Sequence, residues 1–400
     1  MDLALDTDRV RGCFPALADG TAYFDGPGGS QTPRTVADAV AAALCAGLAN
    51  RGAVTAAERR ADELVLGARA AIGDLLGCDP GGVVFGRSMT QLTFDLARAM
   101  ARQWGPGDEV VVSRLDHDAD IRPWVVAAEA VGATVRWLDF DRSSGELVLD
   151  PGALSERTRL VAVTGASNLL GTRPDVAAVA EAAHGVGALV FVDGVHLTPH
   201  AAVDVAALGA DVFACSPYKF FGPHLGVLAA SPALLASIHG DKLLPATDAV
   251  PERFELGTLP YELLAGVTAA VDFIAGLGPA ADSGDRRSRV VDSMAAVEAH
   301  EDRLFERLLA GLDGTGRVTR HGRPARRTPT VLFSVDGVPS RSVHQQLAER
   351  GVNAPAGSFY ALEASRWLGL GDGGAVRAGL APYTCEDDVD RLVAGVAELR

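Results

Sequence analysis

Of the 36 basic residues in this chain only Lys219 and Lys242 carry a primary amine, and all the others are arginine. A reaction that needs an amine nucleophile must use one of these two lysines or the N-terminus. Lys219 lies in Cys215-Ser216-Pro217-Tyr218-Lys219-Phe220-Phe221-Gly222-Pro223. Those neighbours suit a pocket wall better than a solvated surface. Burial lowers the proton affinity of an amine, so that it can attack and later shuttle a proton. Four other segments carry groups of different chemistry. Gly86-Arg87-Ser88-Met89-Thr90 opens a helix, and free N–H groups beside small hydroxyls there make either a phosphate seat or a plain N-cap. In Asp116-His117-Asp118 the imidazole can serve as a base, a stacking ring or a metal ligand. The metal option is disfavoured because no second His lies at ligand spacing. Ser167-Asn168 forms a polar turn. Asp193-Gly194-Val195-His196 places a carboxylate at the end of an apolar run, where it can meet a ligand cation or shape the turn.

Each of these segments follows a short β-rich run. The runs are Val83–Phe85, Glu109–Ser113, Thr134–Leu138, Leu160–Thr164, Leu189–Asp193, Val212–Ser216 and Leu225–Ala229. Helical patterns at 33–49, 56–77, 90–104, 122–131 and 174–185 precede or separate them. Strands alternating with helices predict a doubly wound, mostly parallel sheet. Apolar runs without alternation fit strands buried on both faces. Ligands of such sheets sit at the carboxyl ends of the strands, where all five motifs fall. After residue 262 the rhythm changes. Helices are expected at 262–276, 288–312, 341–350 and 385–400, strands at 330–335 and 375–381, and a polar linker at 279–287. Thr384 with Asp387 reads as a capping box for the last helix. The expected organisation is an N-terminal arm (1–22) packing with the small domain, a large domain (23–278) and a small α+β C-terminal domain (279–400).

Composition narrows the classes. A chain of 400 residues suits two domains. A net charge of −15 gives no counterion-release affinity, so nucleic acid is not an expected partner. No uncharged apolar run is long enough for a membrane span. The first residues, MDLALDTDRVRG, have acids before the first base and no apolar core, so no signal peptide is expected. The stretch before the first motif is too short for an appended DNA-binding module. Five scattered cysteines without CxxC fit a reducing cytoplasm. The glycines at 26, 28 and 29 do not form GxGxxG between a strand and a helix, and no P-loop is present.

Together the five strand ends suit pyridoxal phosphate: a lysine for the Schiff base, an aspartate for the pyridine nitrogen and a helix N-terminus for the phosphate. The chain resembles a class V aminotransferase-fold (fold type I) pyridoxal-phosphate enzyme of the cysteine desulfurase-like branch, over almost its whole length. Val192-Asp193-Gly194-Val195-His196 followed by Ser216-Pro217-Tyr218-Lys219 carries most of the likeness. Arg87-Ser88-Met89-Thr90, Asp116-His117 and Ser167-Asn168-Leu169-Leu170-Gly171-Thr172 carry the rest. The resemblance implies that Lys219 binds the cofactor, Asp193 meets its nitrogen and His117 stacks on its ring. It implies that Asn168 and His196 meet the ring oxygen, and Met89, Thr90, Ser216 and Tyr218 the phosphate. Gly257 and Thr258, in Phe254-Glu255-Leu256-Gly257-Thr258, would reach the phosphate of the partner in a homodimer with shared active sites. Arg377 would clamp the carboxylate of a small amino-acid substrate. Arg51 would line the entrance.

One stretch departs from the family. Desulfurases carry a catalytic cysteine on a small-domain loop, whereas Asn353-Ala354-Pro355-Ala356-Gly357-Ser358-Phe359-Tyr360-Ala361 has none, and Tyr360 stands near that place. The implied activity is a C–S lyase. It would release a thiol, pyruvate and ammonia from a cysteine S-conjugate by β-elimination, in sulfur-containing small-molecule or natural-product metabolism. The alternatives are a decarboxylating oxidative deaminase, an aminotransferase, an epimerase, or a cysteine desulfurase or selenocysteine lyase.

Overall fold

A computed structural model gives the structure of residues 5–278 and 284–399. Residues 1–4 of the expected arm, 279–283 of the expected linker and Arg400 lie outside the described residues. Helix α1 (Thr7–Gly12) and strand β1 (Ala22–Tyr23) lead into helices α2 (Arg34–Cys45) and α3 (Ala56–Leu76). The alternating region follows as β2 (Val83–Gly86), α4 (Met89–Ala101), β3 (Glu109–Ser113), α5 (Arg122–Val131), β4 (Thr134–Leu138), β5 (Thr158–Thr164), α6 (Val176–Gly185), β6 (Leu189–Asp193), β7 (Val212–Cys215) and β8 (Gly226–Ala230). Helices α7 (Pro232–Ser237), α8 (Tyr261–Ala275) and α9 (Arg286–Gly314) come next. The last part holds β9 (Val318–His321), β10 (Thr330–Val335), α10 (Ser340–Ala348), β11 (Val352–Asn353), β12 (Ala356–Gly357), α11 (Leu362–Trp367), β13 (Ala375–Gly379) and α12 (Glu386–Ala397).

The large sheet has seven strands in the order β2-β8-β7-β6-β5-β3-β4. The pairs from β4 through β7 are all parallel. Strand β8 is antiparallel to both neighbours, so β2 again runs with the majority. The carboxyl ends of β2, β3, β5, β6 and β7 therefore share one edge, and all five motifs emerge there. Side chains alternate between two cores because strand residues alternate in direction. Val111, Val161, Val163, Val190, Val192 and Phe213 face α3, α6, α8 and the first half of α9. Val110, Val112, Leu160, Ala162, Phe191 and Ala214 face α4 and α5.

The small sheet, β12-β13-β10-β9, is antiparallel throughout. Its core takes Leu304, Phe305, Leu308 and Leu312 from the second half of α9, whose Val290, Met294 and Val297 belong to the large core. One straight run of helix thus enters both cores. A further cluster of Leu115, Phe140, Leu169 and Leu170 with Leu332, Ala361, Ala364 and Ala375 fills the seam between the sheets.

Three details differ from the sequence reading. Residues 23–25, expected to open the large domain, pair with the small one, as does Ala22 at the end of the arm. Ala22 and Tyr23 lie beside Val352 and Asn353, Asp25 bridges Gly379, and Phe24 is in the small core. The arm touches both units rather than the small one alone. Arg9 donates to the carbonyls of Gly276 (3.2 Å) and Leu277 (2.7 Å). Arg11 binds Asp388 at 2.7 Å, and the Phe14 ring meets Phe221, Phe273 and Tyr383 edge-on. The cap of α12 is Cys385 with Asp388, not Thr384 with Asp387: the Cys385 N–H donates to Asp388 Oδ2 at 3.0 Å, while the Thr384 hydroxyl accepts from Ala381 N–H at 2.9 Å.

Gly194 shows how tightly the edge is built. A Cβ there would sit 1.8 Å from Cζ of Phe213, a ring fully buried in the large core. Gly194→Ala forces that ring or the turn after β6 to move, an overpacking that costs typically about 1–3 kcal/mol. Urea unfolding of the variant is expected to give a lower midpoint at an unchanged slope.

Candidate active site

The carboxyl edge of the large sheet, the turn at 26–29 and the 358–361 loop enclose a cavity of about 590 Å³. Eleven of the residues singled out in the sequence line it: Met89, Thr90, His117, Asn168, Asp193, His196, Ser216, Tyr218, Lys219, Tyr360 and Arg377. Three do not. Arg51 is held away from the cavity by Asp62 (2.8 Å) and Glu252 (3.0 Å), which corrects its expected place at this chain's own entrance. Gly257 and Thr258 line a second, neighbouring cavity together with Phe85, Ser88 and His224. Their loop is anchored by the buried Arg69, which donates to Glu255 (2.9 and 3.1 Å) and Glu252 (3.2 Å). Glu255 in turn accepts from Phe85 N–H at 2.9 Å.

Lys219 ends a single turn of 3₁₀ helix after β7. Its Nζ donates to the Pro27 carbonyl at 2.6 Å and lies 4.9 Å from the centre of the Tyr218 ring. Burial, reinforced by the charge of Arg377, brings the amine from its ordinary 10.5 down to about 7. Lys242 is remote from the cavity, donating to the Ala246 carbonyl at 2.8 Å and pairing with Asp248 at 3.3 Å. Asp193 closes β6 and accepts from Val195 N–H at 2.9 Å. Its burial raises the carboxyl to about 6, with Lys219 pulling the other way. His117 accepts from Ala119 N–H through Nδ1 at 3.0 Å, which puts the proton of the neutral ring on Nε2. Its enclosure lowers the imidazole to about 4, and its ring lies 5.6 Å from that of Tyr360.

Arg377 projects from β13 and is only 2% exposed. Its Nη1 donates to the Asn168 carbonyl at 2.9 Å, its guanidinium covers the Phe359 ring at 3.8 Å, and its Nε has no partner. No carboxylate pairs with it among the described residues, so burial lowers it to about 9. This is not the surface ion pair that a lone arginine on an edge would make. Asn168 donates to the Phe359 carbonyl at 3.0 Å and leaves Oδ1 without a partner. His196 sits between the hydroxyls of Thr330 (3.1 Å) and Thr328 (3.0 Å) through Nε2, and its buried Nδ1 is also unpartnered.

The N-terminus of α4 completes one wall. Ser88 is its N-cap, accepting from Gln91 N–H at 3.1 Å. The N–H groups of Met89 and Thr90, in the first turn, have no intrahelical acceptor. The helix end is set by the close pass of β8: a Cβ on Gly226 would lie 2.1 Å from the carbonyl carbon of Ser88. Among the described residues only Phe221, Phe359 and Tyr360 are non-glycine residues at positive φ. All three flank the cavity, where strained backbone concentrates.

These groups fit pyridoxal phosphate on the structure's own terms. An amine with lowered proton affinity, a buried carboxylate, two orphaned polar atoms and a helix N-terminus converge on one cavity. The comparisons agree. Residues 22–392 match the family "Aminotransferase class-V". An "Uncharacterized protein MT3887" of Mycobacterium tuberculosis is 38% identical over 99% of this chain and 100% of its own. A "Cysteine desulfurase" of Dickeya dadantii is 33% identical over 97% of this chain and 95% of its own. The crystal structure of the cysteine desulfurase CsdA from Escherichia coli superposes with a TM-score of 0.85 at 27% identity, over 98% of each chain. The chain belongs to the class-V aminotransferase family, and its cofactor is pyridoxal 5′-phosphate.

Several lining residues escape the sequence reading. Phe94 follows Thr90 by one helical turn, a spacing that puts both on the same face of α4. Thr164, the last residue of β5, could have been found by the same strand-end rule that found Asp193. Asp118 and Arg122, paired at 3.0 Å, carry no signal that separates them from a surface pair.

The position of Lys219 predicts how the apoprotein takes up its cofactor. Only the neutral amine attacks an aldehyde, and a lowered pKa makes it neutral at lower pH. The rate at which pyridoxal phosphate acquires the visible absorbance of its lysine-bound form should rise with pH to about 7 and then level off. An ordinary lysine would keep the rate rising toward 10.5.

Proposed function

We propose that the protein is a pyridoxal-phosphate-dependent C–S lyase acting on a cysteine S-conjugate. When bound through Lys219, the cofactor draws electrons from the substrate α-carbon, which lets a thiolate leave from the β-carbon. The chain's residues supply the rest. Arg377 holds the substrate carboxylate. Lys219, neutral once freed by the substrate amine, takes the α-proton. Asp193 holds charge opposite the ring nitrogen, His117 covers the ring, and Asn168 and His196 hydrogen-bond its oxygen. Met89 and Thr90 through backbone N–H groups, with Ser216 and Tyr218, hold the phosphate. Gly257 and Thr258 serve the phosphate of the partner in a homodimer, and Tyr360 edges the entrance. Five free cysteines support a reducing, cytoplasmic setting.

The observation that carries this reading is Arg377. A buried guanidinium that no carboxylate touches, with Asp25 acting on it only at a distance, is costly. A substrate carboxylate beside the Lys219 amine offsets that cost. The absence of any cysteine among the residues lining the cavity supports elimination over sulfur transfer to an enzyme thiol. The names of the desulfurase relatives favour a second reading, in which sulfur leaves cysteine itself and alanine is the product.

Mass spectrometry of the products from an S-alkyl-cysteine separates the two. Free thiol, pyruvate and ammonia are expected. Alanine from cysteine, with the sulfur carried as a persulfide on an acceptor thiol or released as sulfide by an added thiol reductant, would establish the second reading instead. Loss of carbon dioxide, an inverted α-centre or a keto acid that keeps its sulfur would make the enzyme a decarboxylase, an epimerase or an aminotransferase. Lys219→Ala is expected to abolish the visible band, and a variant that keeps both band and activity would defeat the assignment. Arg377→Ala should raise KM roughly a hundredfold with cofactor binding intact, because charge-assisted hydrogen bonds contribute about 1.5–3 kcal/mol each. An unchanged KM would remove Arg377 from the substrate site.

A further inference from the structure

Three carboxyl groups lie together beneath the cavity floor. Asp116 and Asp120 follow β3, and Asp193 ends β6. All three are buried, Asp116 and Asp120 completely. The carboxyls of Asp116 and Asp120 face one another within hydrogen-bonding reach. Trp124 Nε1–H donates to Oδ1 of Asp120 at 3.2 Å, and Val195 N–H to Oδ1 of Asp193 at 2.9 Å. The Ser113 hydroxyl and the Thr164 amide approach Asp116, and Oδ2 of Asp120 has no donor. The groups around the pair are neutral or negative: the Ser113 hydroxyl from β3, the Thr164 amide from β5, Trp124 from α5 and Asp193 from β6. Lys219 acts on Asp193 from the far side, and no cation ion-pairs with Asp116 or Asp120 among the described residues.

Two unpaired carboxylates cannot both stay ionised when they touch in a buried site. A single proton between them makes one carboxyl a hydrogen-bond donor to the other and removes the repulsion. We propose that Asp116 and Asp120 share one proton at neutral pH and act through Asp193 as positioning residues, fixing the negative charge that Asp193 turns toward the cofactor's ring nitrogen. The proposal rests on the reading that Asp193 meets that nitrogen. Burial raises both carboxyls, each also feeling the charge of Asp193 and Asp120 that of Asp116, which favours retention of the shared proton. Were it lost, three negative charges would crowd the floor and the next proton would go to Asp193. The pair thereby keeps the floor at two negative charges, one of them on Asp193.

Asparagine at either position tests this. In Asp120→Asn the amide N–H donates to Asp116, which then ionises, so the floor keeps its charge but loses its protonated acid. Infrared spectroscopy of the wild-type holoenzyme at neutral pH should show the carbonyl stretch of a protonated carboxylic acid, shifted in D₂O. Difference spectra should show that band lost in Asp120→Asn and in Asp116→Asn. The visible pH titration of the bound cofactor should be unchanged in both. In the double variant the floor loses one negative charge, the ring nitrogen holds its proton less tightly, and the alkaline transition of the visible band should move to lower pH. A wild type without the protonated band, or a band that survives in both single variants, overturns the shared proton. An unshifted transition in the double variant overturns the action through Asp193. The infrared band reports on the pair with or without cofactor. Its failure is therefore distinct from failure of the Asp193 reading, which would show as an alkaline transition left unmoved by Asp193→Asn.

Discussion

Two cations enclosed without a touching counter-charge set the terms for this molecule. Lys219 and Arg377 line the same cavity, the charge of Arg377 lowers the proton affinity of Lys219, and neither is ion-paired with a carboxylate among the described residues, Asp25 acting on both only at a distance. Left to relax, both side chains would swing into water. They stay because their backbones are fixed from opposite sides. Lys219 leaves the central parallel sheet between β7 and a Gly-Pro turn, and Arg377 leaves the middle of an antiparallel sheet whose neighbours on both sides are paired. The cost is met by the packing of two cores and the seam between them, far more than by any contact the cations make.

The same constraint explains the placement of strain. Phe359 and Tyr360 hold left-handed backbone so that their carbonyls can accept from Asn168 and from the Asp118 amide, at 3.0 and 2.7 Å. The Phe359 ring is then free to lie against the guanidinium. Phe221 takes the same conformation where the chain leaves Lys219, and its N–H reaches the Ser30 hydroxyl at 2.8 Å. In each case a local cost fixes a group that would otherwise be mobile.

Much of this was legible because parallel strands read so plainly. β3, β4 and β6 begin and end where their apolar runs do, and the strand ends carry nine residues of the one cavity; Arg377 came from the family resemblance and Tyr360 from the departure of one loop. What was hidden is non-local. β9 is Val-Thr-Arg-His, a half-exposed strand whose partner is set by the small sheet, and its flanking Gly316 and Gly322 were the only local signs. β1 and β11 exist only because two segments 330 residues apart lie side by side. Arg51 misled for the same reason, because nothing in Asn50-Arg51-Gly52 announces that Glu252 waits across the fold. The carboxyl pair of Asp116 and Asp120 was in plain view as letters, yet four-residue spacing alone gives no hint that both side chains turn inward.

The poverty in lysine has a chemical consequence of its own. A reactive aldehyde condenses with any accessible amine, and most proteins of this size would offer it many. Here one of the two ε-amines is enclosed in the cavity and the other is tethered to Ala246 and Asp248. The surface, rich in arginine, stays cationic where it must without offering imine-forming groups. Excess cofactor, carbonyl metabolites and amine-directed labels should find few targets on this protein outside its cavity, namely Lys242 and the α-amine of the chain.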